Sequence, residues 1–251
     1  MYIDILGFKK LIKKKSIKAI YKTVDEALKA YYEIEKDGFI GFSMVCFSDT
    51  ILIYQDSEDE LLREMAYAGI WTIAQLIYNK LLAIQIPIRG VISFGEFHVM
   101  NDSSNKNIIF FGDALVKAYE MEQKENWIGV IVTPEALYPG SESDIVRMRQ
   151  SKSLLIRKDK CLMLNPFFMI RDYSGFEGDI NAIEQKWRKG RLLIELKAFS
   201  FIHINASQFS LEYNYDKVAE KYLNTSLFIK EVMGENTYNW AVKLAKDLKY
   251  I

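Results

Sequence analysis

The opening residues MYIDI alternate like a strand, and Gly7 just after them permits a tight turn into a helical stretch that reaches about Asp37. Within that stretch Ile17, Ile20, Val24, Leu28 and Tyr31 recur at spacings of three and four, which lines up one apolar helix face. FIGFSMVCFSDTILIYQD then reads as two β runs meeting near Ser48 and Asp49. Phe42, Val45, Phe47, Ile51 and Ile53 supply strand-type side chains, and the polar pair marks a hairpin tip. Residues 58–84 read as a second helix, begun by the acidic cluster SEDE, which suits the positive end of a helix dipole. IPIRGVISFGEFHVM reads as one strand with Pro87 at its entrance, DSSNKN as a polar loop and NIIFFG as a further strand. DALVKAYEMEQKE is a helix with Asp113 available as its cap.

The resulting βαββαβ order is the ferredoxin-like or palm arrangement, an α+β fold in which a central antiparallel sheet carries two helices on one face. WIGVIVT and LLIRKDKCLMLNP are expected to add edge strands. Beyond about Gly175 the chain reads as helical, over GDINAIEQKWRKGRLLIELKAF, DKVAEKYLNTSLFIKEV and TYNWAVKLAKDL. The expected organisation is one α/β domain over residues 1–170 and a helical C-terminal extension over 171–251 packed on it. The helices at 16–36 and 58–84 can cover only one side of the sheet, so the other side needs that extension or a partner.

Charge narrows the function classes. The 251 residues hold 33 Lys plus Arg against 33 Asp plus Glu, a balance that argues against a dedicated nucleic-acid binder. Half of the residues are hydrophobic and 14% aromatic, ample for a buried core. The N-terminal charges follow the short apolar run, the reverse of a signal peptide. The long apolar stretch at 66–84 carries Gln75, Asn79 and Lys80, and reads as a helix packed on both faces rather than a membrane span. Cys46 and Cys161 lie far apart in apolar runs without zinc-site spacing, and are expected as buried reduced thiols of a cytoplasmic protein.

Acids at strand ends are the strongest chemical signal. Asp4 lies inside an otherwise apolar strand, and Asp49 at the tip of an apolar hairpin; the palm topology places those strands side by side. Two facing carboxylates repel and raise each other's pKa unless a cation sits between them, and Mg²⁺ or Mn²⁺ is the natural resolution. The plainer alternative is that Asp49 makes a turn and Asp4 caps the first helix. Gly7 and Phe8 supply context, since a glycine at a strand-to-helix turn lets backbone N–H groups face a triphosphate closely. Tyr2 and Phe8 are aromatic candidates for ribose or base, with core packing as the alternative. Lys9, Lys10 and the run KKLIKKK read most simply as a solvated face. His98 and His203 have no acidic or cysteine cluster near them in sequence, so a zinc site is not expected. P-loop and Rossmann phosphate motifs are absent.

YIDILGF resembles the DIxGF signature of class III nucleotide cyclases, and FSDTILIY resembles the hairpin that carries their second metal-binding aspartate. RGVISFG and FFGDALVKAYEME follow in the order of their later strand and glycine-started helix. The likeness is specifically close to the bacterial pyrimidine cyclases of Pycsar anti-phage defence, which show DILGF, FSDT, RG and an FG-AL-AYELE-like run, and it covers roughly the first two thirds of the chain. The resemblance implies two Mn²⁺ or Mg²⁺ ions held by Asp4, Asp49 and the Ile5 carbonyl, and a homodimer with sites across the interface. It further implies a nucleoside triphosphate cyclised to 3′,5′-cyclic UMP or CMP with release of pyrophosphate, and a separate effector that reads the product. Where purine cyclases carry a base-reading lysine, Val45 stands, so base recognition is expected around Tyr2, Met44 and Phe47. Where they carry Asn and Arg on the late helix, Val116 and Glu120 stand, which leaves Arg89 as a candidate replacement cation or as an ion-pair partner of a neighbouring acid. A purine cyclase and a non-catalytic nucleotide-binding relative remain as alternatives.

Overall fold

The computed structural model describes the chain except residues 15, 37–41, 56–58, 102–107, 138–153, 158–160, 175–182, 184–185 and 210–216. The DSSNKN loop and part of the SEDE helix start lie outside the described residues.

Strand β1 (Tyr2–Ile5) leads through Gly7 into the short helix α1 (Phe8–Lys14) and then α2 (Ile17–Lys36), so the expected single helical stretch is two helices. Gly7 has φ +72 with open space where a Cβ would stand, so its value is conformational: an L residue there would be strained. The hairpin β2 (Ser43–Phe47) and β3 (Thr50–Tyr54) turns at Ser48, whose φ is 55, and Asp49, as the alternation predicts. Helix α3 (Glu60–Ala83) returns the chain to β4 (Ile88–Ile92).

These four strands pair in the order β2-β3-β1-β4, all antiparallel, as part of a seven-stranded sheet of a mixed α/β fold. The remainder departs from the expectation in three ways. The single strand read over IPIRGVISFGEFHVM is two, because the chain leaves the sheet after β4 and forms a separate two-stranded ribbon of β5 (His98–Asn101) and β6 (Ile108–Phe111). That ribbon leans on Tyr54, whose ring lies 5.2 Å from Phe97 and 5.6 Å from Phe110. Next, β7 (Gly129–Val132) follows helix α4 (Asp113–Lys124) and enters beside β4 in parallel, so the sheet is mostly and not wholly antiparallel. A helical crossover returns the chain in the same direction, which is what parallel pairing requires. Finally, β7 is an inner strand, since β9 (Leu162–Leu164) and then β8 (Leu154–Ile156) flank it in the order β7-β9-β8.

Strand alternation splits the apolar residues between two faces. On one, Ile3, Ile5, Ile51, Ile53, Val130 and Leu164 meet Leu28 of α2, Ile77 and Leu81 of α3, and Leu196 and Phe199 of α6 (Lys186–Phe209). On the other, Tyr2, Val91, Ile131 and Met163 meet Ala118 of α4 and Phe228 of α7 (Lys217–Met233). Short helix α5 (Phe168–Asp172) and C-terminal α8 (Glu235–Asp247) complete the described elements. Helix α6 extends through FSFIHINASQF, ten residues beyond the sequence expectation, because Ala198, Phe199, Ile202 and Ala206 keep one face buried. Residues from the C-terminal third therefore close both faces of the sheet.

Asp113 is not a cap. Gly112 holds that position with φ +140, where a Cβ would stand 2.3 Å from the Glu96 carbonyl oxygen, and Asp113 instead pairs with Lys117 at 2.7 Å. Neither cysteine is buried: Cys46 is exposed, because β2 is an edge strand, and Cys161, just before β9, is half-buried. No helix among the described residues is long and apolar enough to cross a membrane.

Candidate functional site

Pairing in the central sheet places Asp4 between Thr50 of β3 and Arg89 of β4. Asp49 immediately precedes Thr50, and its carbonyl accepts the Ile5 N–H at 2.8 Å, so the hairpin tip is tied to the end of β1. The Leu6 N–H donates to the Pro87 carbonyl at 2.9 Å before the chain turns away at Gly7. The two expected aspartates are thus brought together at neighbouring strand ends. The Asp4 carboxyl is raised above its usual pKa by burial, opposed by Arg89 and reinforced by the negative charge of Asp49.

Arg89 is engaged rather than free. Its Nη2 lies 3.4 Å from Asp4 Oδ2 and forms a close ion pair with Glu122, while Nη1 donates to the Glu125 carbonyl at 3.0 Å. Of its two readings, the ion pair is the one observed. Glu122 has a fully buried side chain, and burial raises its pKa against the pull of Arg89. Glu125 is held by Arg157 through two hydrogen bonds, and the Arg157 guanidinium lies 5.0 Å from the centre of the Trp127 ring. Lys221 of α7 donates to the same Glu125 carbonyl at 2.7 Å. Burial and the nearby Arg89 charge lower the Lys221 pKa to about 8.

The aromatic candidates separate. Tyr2 is buried on the Asp4 face, edge-on to Tyr119 at 6.1 Å and hydrogen bonded to Thr50. Phe47 sits opposite Thr50 and is exposed, whereas Phe8 packs against the core on the far face. Met44 also packs into that far core, one residue out of phase with Val45 and Phe47, so Tyr2, Met44 and Phe47 do not share one pocket. His203 is structural, its Nδ1 2.8 Å from the Tyr238 hydroxyl, and His98 is an exposed partner of Glu96.

Two carboxylates side by side, with Arg89 shared with Glu122, form a hard-oxygen set suited in charge and donor type to Mg²⁺ or Mn²⁺. Among the described residues no three His, Cys, Asp or Glu side chains gather to bind a metal, so further donors would come from backbone or substrate. Glu122 and Lys221 escaped the sequence reading. The signal for Glu122 was present: Ala114, Ala118 and Glu122 recur every four residues, placing an acid on the buried stripe of α4. For Lys221, about 100 residues further along the chain, no local signal exists. No protein-family model matches the chain, and no curated protein matches it significantly.

Proposed function

We propose that this chain is a pyrimidine nucleotide cyclase with a ferredoxin-like palm, converting UTP, or CTP in second place, to the 3′,5′-cyclic monophosphate and pyrophosphate. The observation that carries this reading is the approach of Asp4 and Asp49 at adjacent strand ends, beside a glycine turn, in a sheet segment ordered β2-β3-β1-β4.

Asp4, Asp49 and the Ile5 carbonyl would hold the divalent ions, which when bound neutralise triphosphate charge and acidify the ribose hydroxyl. The substrate's O3′ bonds to its own α-phosphorus, the bond from that phosphorus to the β-phosphate oxygen breaks, and the hydroxyl proton leaves to solvent. Arg89 orients Asp4 from the neighbouring strand, held in turn by Glu122. Val45 and Phe47, on the Asp4 face of the hairpin, supply apolar surface for a base and no charged group to read a purine. The reading includes a homodimer, for which Met100, Ile108, Ile109 and Phe111 of the β5–β6 ribbon offer exposed apolar surface. It also includes a separate effector for the product.

Incubation of the full chain with each of the four nucleoside triphosphates and Mn²⁺, read by mass spectrometry, tests the reading. UTP or CTP is expected to yield equal amounts of cyclic monophosphate and pyrophosphate. Faster turnover of ATP or GTP, or no cyclic product from any of the four, contradicts it. The engagement of Asp4 by Arg89 favours a second reading, a non-catalytic nucleotide-binding relative, for which the same assay returns no product while calorimetry shows nucleotide binding.

A further inference from the structure

Among the described residues, charge pairing around the site leaves one cation, Lys221, without an ion pair. Arg89 is paired with Glu122, and Arg157 with Glu125. Among the described residues Lys221 makes no ion pair; its ammonium meets only the Glu125 carbonyl, at 2.7 Å, and that oxygen already accepts from Arg89 at 3.0 Å. An ammonium has three protons to donate, so Lys221 keeps donors unspent. It is half-buried, close enough to Asp4, Arg89 and Glu122 to feel the charge of each. Once the charges of Asp4 and Asp49 are taken up by a cation, Lys221 is the surplus positive charge of the cluster.

We propose that Lys221, carried into the site by α7 from the C-terminal third of the chain, is a phosphate-binding residue that takes the polyphosphate of the nucleotide, an inference that rests on the cyclase reading. It makes the C-terminal helices part of the site and not only a cover for the sheet. A compact ammonium on a flexible stem suits a polyphosphate, whose oxygens lie at several distances from the aspartates. The plainer role is to satisfy the carbonyl at the C-terminal end of α4, where a cation is favourable.

Calorimetry of the full chain separates the two roles, with magnesium tripolyphosphate and UMP as probes and with Lys221→Met and Lys221→Arg as variants. The Met variant should bind tripolyphosphate at least about tenfold more weakly, near 1.4 kcal/mol, while UMP affinity stays unchanged and the Arg variant recovers most of the loss. A purely structural lysine would lower the melting temperature of the Met variant and leave tripolyphosphate binding as in the unaltered chain, and that result overturns the proposal. So does an unaltered chain that binds no tripolyphosphate. If tripolyphosphate binding depends on Lys221 but no nucleotide is cyclised, the cyclase reading falls and the phosphate site stands. If UTP is cyclised while the Met variant binds tripolyphosphate normally, the reverse holds.

Discussion

Two polar clusters lie on opposite faces of the sheet, one buried around Glu195 and one half-buried around Asp4, and they use their polar groups differently. Around Glu195 of α6, most hydrogen bonds tie side chains to the backbone. Its Oε2 accepts the N–H groups of Met169 and Ile170 at 2.8 and 3.1 Å, closing the start of α5. Arg191, whose guanidinium lies 4.2 Å from the centre of the Phe168 ring, donates to Gln75, and Gln75 and Asn79 donate to the carbonyls of Asn165 and Pro166. Around Asp4 the balance is reversed. Asp4 feels the charge of Asp49 and shares Arg89 with Glu122, and among the described residues Lys221 makes no ion pair. A buried acid that satisfies backbone N–H groups is architecture, whereas half-buried charges gathered at strand ends are capacity for a ligand.

The largest stability effect should come from the architectural cluster. Glu195→Ala removes the acceptor for two buried backbone N–H groups, and should cost roughly 1–3 kcal/mol for each donor left unpaired, read by denaturant unfolding. Turnover per folded molecule should be unchanged. A variant that keeps its stability would erase the distinction between the clusters.

How much of this contrast was legible in the sequence depends on range. Asp4, Gly7 and the Ser48–Asp49 tip could be found because each sits at a break in a local alternation, and alternation is a short-range signal. The pairing of β1 with the hairpin followed from the element sequence. The departure of the chain after β4 was not read, since strand-type residues stand on both sides of Ser93–Glu96, and they do not say which sheet a residue joins. Glu195 looks like an ordinary helical acid until α5 is seen docked on it. Lys221 could be linked to Asp4 only by the tertiary fold. Cys46 reads as core from its apolar neighbours, yet an edge strand leaves it exposed.

A smaller effect concerns pH. Burial pushes the Glu195 carboxyl up to about 8, opposed by its two backbone hydrogen bonds and Arg191 and reinforced by Asp172. Since the folded form holds this proton more tightly than the unfolded chain, the stability it contributes is full below the ordinary carboxylate range near 4.5 and is lost as pH rises through about 8. One proton limits the slope to about 1.4 kcal/mol per pH unit. Glu195→Gln should flatten unfolding free energy between these pH values, and an unchanged slope would assign the titration elsewhere.

The comparison of Asp49→Asn with Glu195→Gln, by Mn²⁺-dependent cyclisation rate and by melting temperature with and without metal, tests the central claim most directly. Asp49→Asn keeps the shape of the hairpin turn and removes one negative charge beside Asp4. Its rate should fall by at least about 100-fold, while metal-free stability stays level or rises slightly as like-charge repulsion is relieved. Glu195→Gln should keep its rate and change only its stability. Full cyclase activity in Asp49→Asn, with or without a loss of melting temperature, would contradict the assignment of Asp4 and Asp49 as the reactive pair.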